Sequence, residues 1–493
     1  MNYESVIGLE VHAQLATQTK IFCACSAEFG ADPNTHGCPV CLGLPGALPV
    51  LNRQVVERTV RIALALGCTI QPRSRFLRKN YFYPDLPKGY QISQFHSNED
   101  VPLATGGGIQ VPTKNGAKTI RLVRIHTEED AGKSIHDEAF VAAGESLVDV
   151  NRCGVPLIEI VSEPDIASSG EAFDYLTRLR QILIYTGVSE GDMEKGHIRI
   201  DANVSIRPAG STGLGVKAEI KNMNSFRNCQ RALDAEIRRQ TDTLETGGEI
   251  VQETLLYDPD RDTVRPMRSK EFSDDYRYFP DPDLVPIGVD ETWIERVRSE
   301  IPELPEAKRA RFQSDYGLTP DQVDVLTASR EVADYYEAVT AAGASPIRTA
   351  NWVQGALMRM LNRQKIQVAD LNITPENLAA LLNMIDAGTI SGSIAQTVFA
   401  DMAQSGEAPD AIVERKGLVQ ISAEGALDSV VDEVISENPG EVGRYRSGNK
   451  KLLGFFMGQI MKKTRGKANP GLANQRLREK LEDDAHGKIH PGN

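Results

Sequence analysis

A chain of 493 residues with a net charge of −13 is too long for one ordinary domain and too acidic to coat nucleic acid over its whole surface. Hydrophobic content of 41% and charged content of 25% fit a globular protein and give no sign of disorder. The first residues lack the basic and apolar regions of a leader, and no uninterrupted apolar run is long enough to span a bilayer. A cytoplasmic protein with no membrane contact is expected, in which the seven cysteines stay reduced and serve metal binding or burial.

Residues 7–15 alternate with period two: Ile7, Leu9, Val11, Ala13 and Leu15 form one series, Glu10, His12 and Gln14 the other. Successive strand side chains point to opposite faces, so an aliphatic face packs on a core and a carboxylate lies beside an imidazole on the other. The pattern returns at 197–207, where His197, Arg199, Asp201, Asn203, Ser205 and Arg207 face outward, and again in Lys217, Glu219 and Lys221. One-sided strands belong to antiparallel sheets with one open face. Glu10, His12 and Asp201 are expected to converge on one cation there; a solvated face is the alternative for any single strand.

Cys23 and Cys25, then twelve residues, then Cys38 and Cys41 put two close ligand pairs on the loop 23–41, as a closed tetrahedral four-thiolate zinc site requires. Buried thiols without metal are the alternative. A helix is expected near 54–66. Residues 78–91, dense in aromatics, prolines and cations, read as an ordered loop in which Lys79 and Lys88 can meet phosphate oxygens. A strand over 119–125 ends in His126-Thr-Glu-Glu-Asp130. Gly132-Lys133-Ser134 is no P-loop, because Thr127 stands where a glycine is required, and Gly213-Leu-Gly215 lacks the third glycine of a dinucleotide fingerprint. In the strand 155–163, Glu159 interrupts an aliphatic run, a costly burial unless it is paired or bound to a metal.

Residues 170–186 and 226–245 read as helices, and the proline-rich 280–286 as a boundary. From 293 to about 402 the pattern is helical, with Thr374 placed as an N-cap, and 404–410 reads as a linker. The charge then inverts: between Arg444 and Lys480 there are eleven Lys and Arg against one acid, Glu479. Leu453, Phe456, Met457, Ile460 and Met461 form a helical stripe among those cations. A docked helix with a basic outer face suits a nucleic-acid backbone, with Lys462, Lys463 and Arg465 as the contacts. A solvated basic helix is the alternative.

Several stretches are similar to one family: Val6-Ile-Gly-Leu-Glu-Val-His12, Lys79-Asn-Tyr-Phe-Tyr-Pro-Asp85, Tyr90-Gln-Ile-Ser-Gln94, Glu128-Glu-Asp-Ala-Gly-Lys133, Pro156-Leu-Ile-Glu-Ile-Val-Ser-Glu-Pro164 and Asp274-Asp-Tyr-Arg-Tyr-Phe-Pro280. They resemble the B subunits of aspartyl/glutamyl-tRNA amidotransferases, the GatB family, along the whole chain, with a YqeY-type tail. The resemblance implies an α+β fold: a catalytic cradle on a mainly antiparallel sheet (1–290), an all-helical domain (291–404) and a small helical tail domain that binds tRNA (411–493). It implies ATP-dependent phosphorylation of the side-chain carboxylate of Glu-tRNA(Gln) or Asp-tRNA(Asn), followed by amidation with glutamine-derived ammonia. Matched motif by motif, it assigns Glu10, His12, Glu129, Glu159 and Asp201 to catalysis, with Mg2+ on His12, Glu129 and Glu159, and Lys79 and Lys88 toward ATP or the tRNA terminus. It also implies a heterotrimer with an amidase subunit, GatA, and a small subunit, GatC, because this chain carries no amidase signature. Zinc at Cys23, Cys25, Cys38 and Cys41 rests on their spacing, since only some members of the family have the cysteines. The rivals are a tRNA-binding scaffold without catalysis, which leaves the acidic sheet face unexplained, and a metal-dependent hydrolase that uses no nucleotide.

Overall fold

The computed structural model of the chain describes residues 2–94, 101–114, 116–135, 141, 144–269, 276–419, 424–464 and 466–483. Asp274, Asp275 and Arg465 lie outside the described residues. The chain forms two compact units, Met1–Pro305 and Glu306–Asn493, and the class is α+β, as the sequence implied. Among the described residues no helix is long and apolar enough to cross a membrane.

The first unit is built on a ten-stranded sheet. Its strands are β1 (Tyr3–Gln14), β2 (Thr69–Ile70), β3 (Ala104–Thr105), β4 (Gly108–Thr113), β5 (Gly116–Glu129), β6 (Pro156–Ser162), β7 (Ile198–Pro208), β8 (Ala218–Lys221), β9 (Glu253–Asp258) and β10 (Thr263–Ser269). The order is β10-β9-β8-β7-β1-β6-β5-β3-β2, with β4 paired to β5. Every pairing is antiparallel except β8 with β9. The alternation in β1 acts as expected: Ile7, Leu9, Val11 and Ala13 are buried, while Glu10, His12 and Gln14 are only partly covered. In β8 the expected strand is shorter, since Val216 is exposed, and Glu219 is buried against Thr254.

Three helices share the core with the aliphatic face: α1 (Arg53–Ala65), α2 (Ser169–Tyr185) and α3 (Phe226–Glu245). Each starts at a side chain that accepts an otherwise unpaired backbone N–H, namely Asn52 for Gln54, Ser168 for Glu171 and Ser225 for Asn228, a contribution of about 1 kcal/mol apiece. Val56 and Val60 of α1, Tyr175 and Leu179 of α2, and Ala232 and Leu233 of α3 complete the cluster with Leu9, Val11 and Ile200. Helices thus cover one face of the sheet and leave the other to polar side chains.

Residues 78–91 depart from the expected loop. Leu77–Asn80 and Tyr90–Ser93 pair as antiparallel strands, Lys79 opposite Gln91, and the prolines fall in the turn between them, where no ladder N–H is needed. The second unit is helical and holds two hydrophobic clusters, one around Phe312, Tyr336, Leu382 and Phe399, the other around Val431, Tyr445, Phe456 and Ile460. Thr374 caps its helix by accepting from the Asn377 N–H at 3.3 Å. The segment 404–410, expected as a linker, instead turns from the helix Gly392–Ser405 into the helix Pro409–Arg415, and Ile412 and Val413 of the latter join the Phe312 cluster.

Candidate functional site

The register of the sheet sets the site. On β1, Glu10 lies opposite Asp201 of β7, while His12 lies opposite Arg199 of β7 and Glu159 of β6; Glu159 in turn faces His126 of β5. Directly opposed side chains on one face approach to about 5 Å at Cβ. One row therefore reads Arg199, His12, Glu159, His126 across four strands.

Glu10, His12 and Asp201 do not converge on one point. Residues two apart along a strand are separated by nearly 7 Å, and the donors divide into two groups: His12 with Glu128 and Glu159, and Glu10 with Asp201 and Glu219. In the first, His12 Nδ1 lies 3.9 Å from Glu128 and Nε2 lies 3.9 Å from Glu159. His12 Nδ1 is buried without a hydrogen-bond partner among the described residues. Behind them His126 Nε2 sits 3.2 Å from Glu159 and 3.7 Å from Glu128, and Ser93 donates to Glu128 at 3.0 Å. Burial alone would lower the His126 imidazole, but Glu159 and Glu128 outweigh it and raise it to about 9. Glu159 is held well below the usual carboxylate range, because the charge of His126 and its hydrogen bond overcome the cost of burial.

In the second group Lys221 pairs with Asp201 and, at 3.3 Å, with Glu219, and Asn203 donates to Glu10 at 2.9 Å. Burial, followed by repulsion from Glu159, Asp201 and Glu219, raises the Glu10 carboxyl above its ordinary value. Such like-charge crowding is relieved by a cation. A cleft of about 510 Å³ lined by His12, Arg199, Asp201, Lys221 and Met223 opens beside both groups, within the range of small-molecule sites.

Glu129 is not in either group. Its side chain points to the other side of β5, where it pairs with Lys88 and accepts the Ile92 N–H at 2.8 Å; Glu128 takes the position assigned to it. The cause is a bulge: Val161 faces Arg124 and Ser162 faces Leu122, so Val123 is the extra residue and the alternation of β5 changes phase there. Bulges re-aim side chains in this way. Lys88 is accordingly a partly buried ion-pair partner, whereas Lys79 lies over the Tyr276 ring at 4.7 Å. His126, Glu128, Glu219 and Lys221 complete the face; the alternation places the last two on it without a role, and the first two were not assigned from sequence. Continued reading of β5 past Ile125 in the shifted phase would have found the first two.

The four loop cysteines meet. Cys41 Sγ lies 3.5 Å from Cys23, 3.7 Å from Cys38 and 3.9 Å from Cys25, against a sulfur–sulfur separation of about 3.8 Å for four ligands at 2.3 Å from one zinc. The donor set fits the metal. The hydrogen bond from Cys23, aided by Lys20, lowers the Cys41 thiol. Gly43, at φ +62°, packs this loop onto Lys88: a Cβ there would sit 2.5 Å from Lys88 Cγ. In the tail, Lys462 is exposed, but Lys463 is engaged by Glu433 and Glu437, each at 2.6 Å.

Comparison with known proteins follows the same division of the chain. The profile of the GatB/GatE catalytic domain matches residues 5–295, and a second profile, the GatB domain of YqeY type, matches residues 334–481. The aspartyl/glutamyl-tRNA(Asn/Gln) amidotransferase B subunit of Geotalea uraniireducens is 53% identical over 98% of this chain and 100% of its own length. The proteins of the same name from Geobacter sulfurreducens and Chlorobium phaeobacteroides are 52% and 54% identical, again over 98% of this chain and 100% of theirs.

Proposed function

The chain belongs to the GatB family of aspartyl/glutamyl-tRNA(Asn/Gln) amidotransferase B subunits, and from that premise we propose that its open sheet face phosphorylates the side-chain carboxylate of Glu-tRNA(Gln) or Asp-tRNA(Asn) with ATP. Ammonia then displaces the phosphate and leaves Gln-tRNA(Gln) or Asn-tRNA(Asn), the work of a carbon–nitrogen ligase. The observation that carries this reading is the pair of three-residue donor groups, each of which has one member, His12 and Asp201, on the wall of one cleft.

Phosphoryl transfer between two anions is limited by charge, so catalysis is mainly positioning and neutralisation. Mg2+ held by His12, Glu128 and Glu159, and by Glu10, Asp201 and Glu219, would supply that neutralisation when bound. Three donors leave coordination positions for phosphate oxygens, unlike the closed cysteine set. His126, 3.2 Å from Glu159 and 3.7 Å from Glu128, holds both carboxylates in place. Lys221, fixed by Asp201, brings a cation to the cleft wall, and Arg199 lies beside it. Lys79, on its aromatic bed, is the cation proposed to meet ATP or the tRNA terminus, and Lys88 holds Glu129 on the other side of β5. The cysteine loop holds a structural zinc, the tail meets tRNA through Lys462 and its neighbours, and an amidase subunit with a small third subunit supplies ammonia.

The test is ADP formation by the assembled complex with misacylated tRNA, uncharged tRNA or none. ADP release that requires the aminoacyl group supports the reading. A scaffold gives no ADP in any arm, and a hydrolase turns over without ATP.

A further inference from the structure

Lys20 is 0% exposed. Its ammonium donates to the His36 carbonyl at 2.6 Å, the Val150 carbonyl at 3.4 Å and Cys41 Sγ at 3.5 Å. Three acceptors use the three N–H groups that a lysine ammonium carries. Among the described residues no carboxylate forms an ion pair with it, although buried lysines ordinarily need one. The side chain it touches is the Cys41 sulfur. Four thiolates around one Zn2+ sum to two negative charges, and Cys41, the buried member of the set, is the ligand that water solvates least.

We propose that Lys20 is a positioning residue of the cysteine site, the buried counter-charge of its metal-loaded form; this rests on the zinc reading above. The contacts also explain its place in the fold. Lys20 N–H donates to the Cys25 carbonyl at 3.0 Å, and Ile21 N–H to the Gly154 carbonyl at 2.9 Å, so the residue joins the loop 23–41 to the turn 150–154. Its ammonium then ties the far end of the loop, His36 and Cys41, to the same turn.

The experiment uses the full chain, with Lys20→Met and, as a control of comparable destabilisation, Leu179→Ala in the α2 core. Zinc per chain, the rate of zinc release to a chromophoric chelator, and the thiolate-to-metal charge-transfer band after Co2+ substitution are measured together. Wild type is expected to hold one zinc. Lys20→Met should release it about tenfold faster or more and shift the cobalt band to lower energy, because the Cys41 thiolate has lost its cation; Leu179→Ala should do neither. Should Lys20→Met fail to fold, Lys20→Gln, which keeps a donor without the charge, takes its place under the same criteria. Wild-type release and an unmoved band in the Lys20 variant overturn the inference while leaving the zinc reading intact. Wild-type chain without zinc overturns both.

Discussion

The cysteine loop and the open sheet face both gather anionic ligands, yet they differ in count and in what surrounds them. Three sulfurs lie 3.5–3.9 Å from that of Cys41, and a metal held by all four would keep no open position for a substrate. The sheet face offers two sets of three hard oxygen and nitrogen donors on rigid strands beside a cleft. A closed set suits structure and an open set suits chemistry, and the strand that carries Glu128 is tied to the cysteine loop through Lys88, which Gly43 packs on one side and Glu129 holds on the other. The comparison teaches that neighbouring glutamates of one strand, Glu128 and Glu129, serve opposite sides of it.

Removal of zinc should have the largest effect on stability. Chelation, or Cys38→Ser, is expected to cost the first unit several kcal/mol, read as a fall in its thermal midpoint; unchanged melting in metal-free protein would break the structural half of the comparison. The paired glutamates come next. Glu129→Gln takes the buried carboxylate from the partly buried Lys88 and should cost about 3 kcal/mol by chemical denaturation. Glu128→Gln should cost less stability but remove phosphoryl transfer, and equal effects of the two on both readouts would merge what the structure separates. Gly43→Ala is smaller again: a side chain at positive φ that also meets Lys88 should cost about 2 kcal/mol, detectable as a shift in the denaturation midpoint. The smallest effect lies in the tail. Lys462→Glu should weaken tRNA binding and flatten its salt dependence by about one phosphate contact, whereas Lys463→Ala, already engaged by Glu433 and Glu437, should change the slope little in the same filter-binding titration.

Much of the fold was legible because period-two alternation in residues 7–15 and 198–207 survives unbroken, and because helices near 54–66, 170–186 and 226–245 carry spaced apolar residues behind Asn or Ser caps. Those same alternations placed Glu10, His12 and Asp201 among the polar-face candidates, and Glu159 stood out as a carboxylate in an aliphatic run. They could not say how two rows of donors divide, since that depends on which strands are neighbours: β1 takes β6 on one side and β7 on the other across long stretches of chain. The bulge at Val123 hid Glu128 and His126 by changing the phase of β5. Aromatics and prolines disguised the hairpin of residues 77–93, because only its turn lacks strand periodicity. Lys20 carried no local signal, as a lysine among polar residues reads as solvated until the loop closes over it.

The most direct measurement is transfer of radiolabelled γ-phosphate in the assembled complex of Glu159→Gln with misacylated tRNA, alongside glutamate release from glutamine. This substitution keeps the shape of the side chain and removes the charge shared by His12 and His126. Phosphate transfer is expected to fall by about three orders of magnitude, roughly 4 kcal/mol of transition-state stabilisation, while glutamine hydrolysis and tRNA affinity stay near wild type. Wild-type phosphate transfer by an intact Glu159→Gln complex would contradict the catalytic role of the sheet face and return it to a solvated surface.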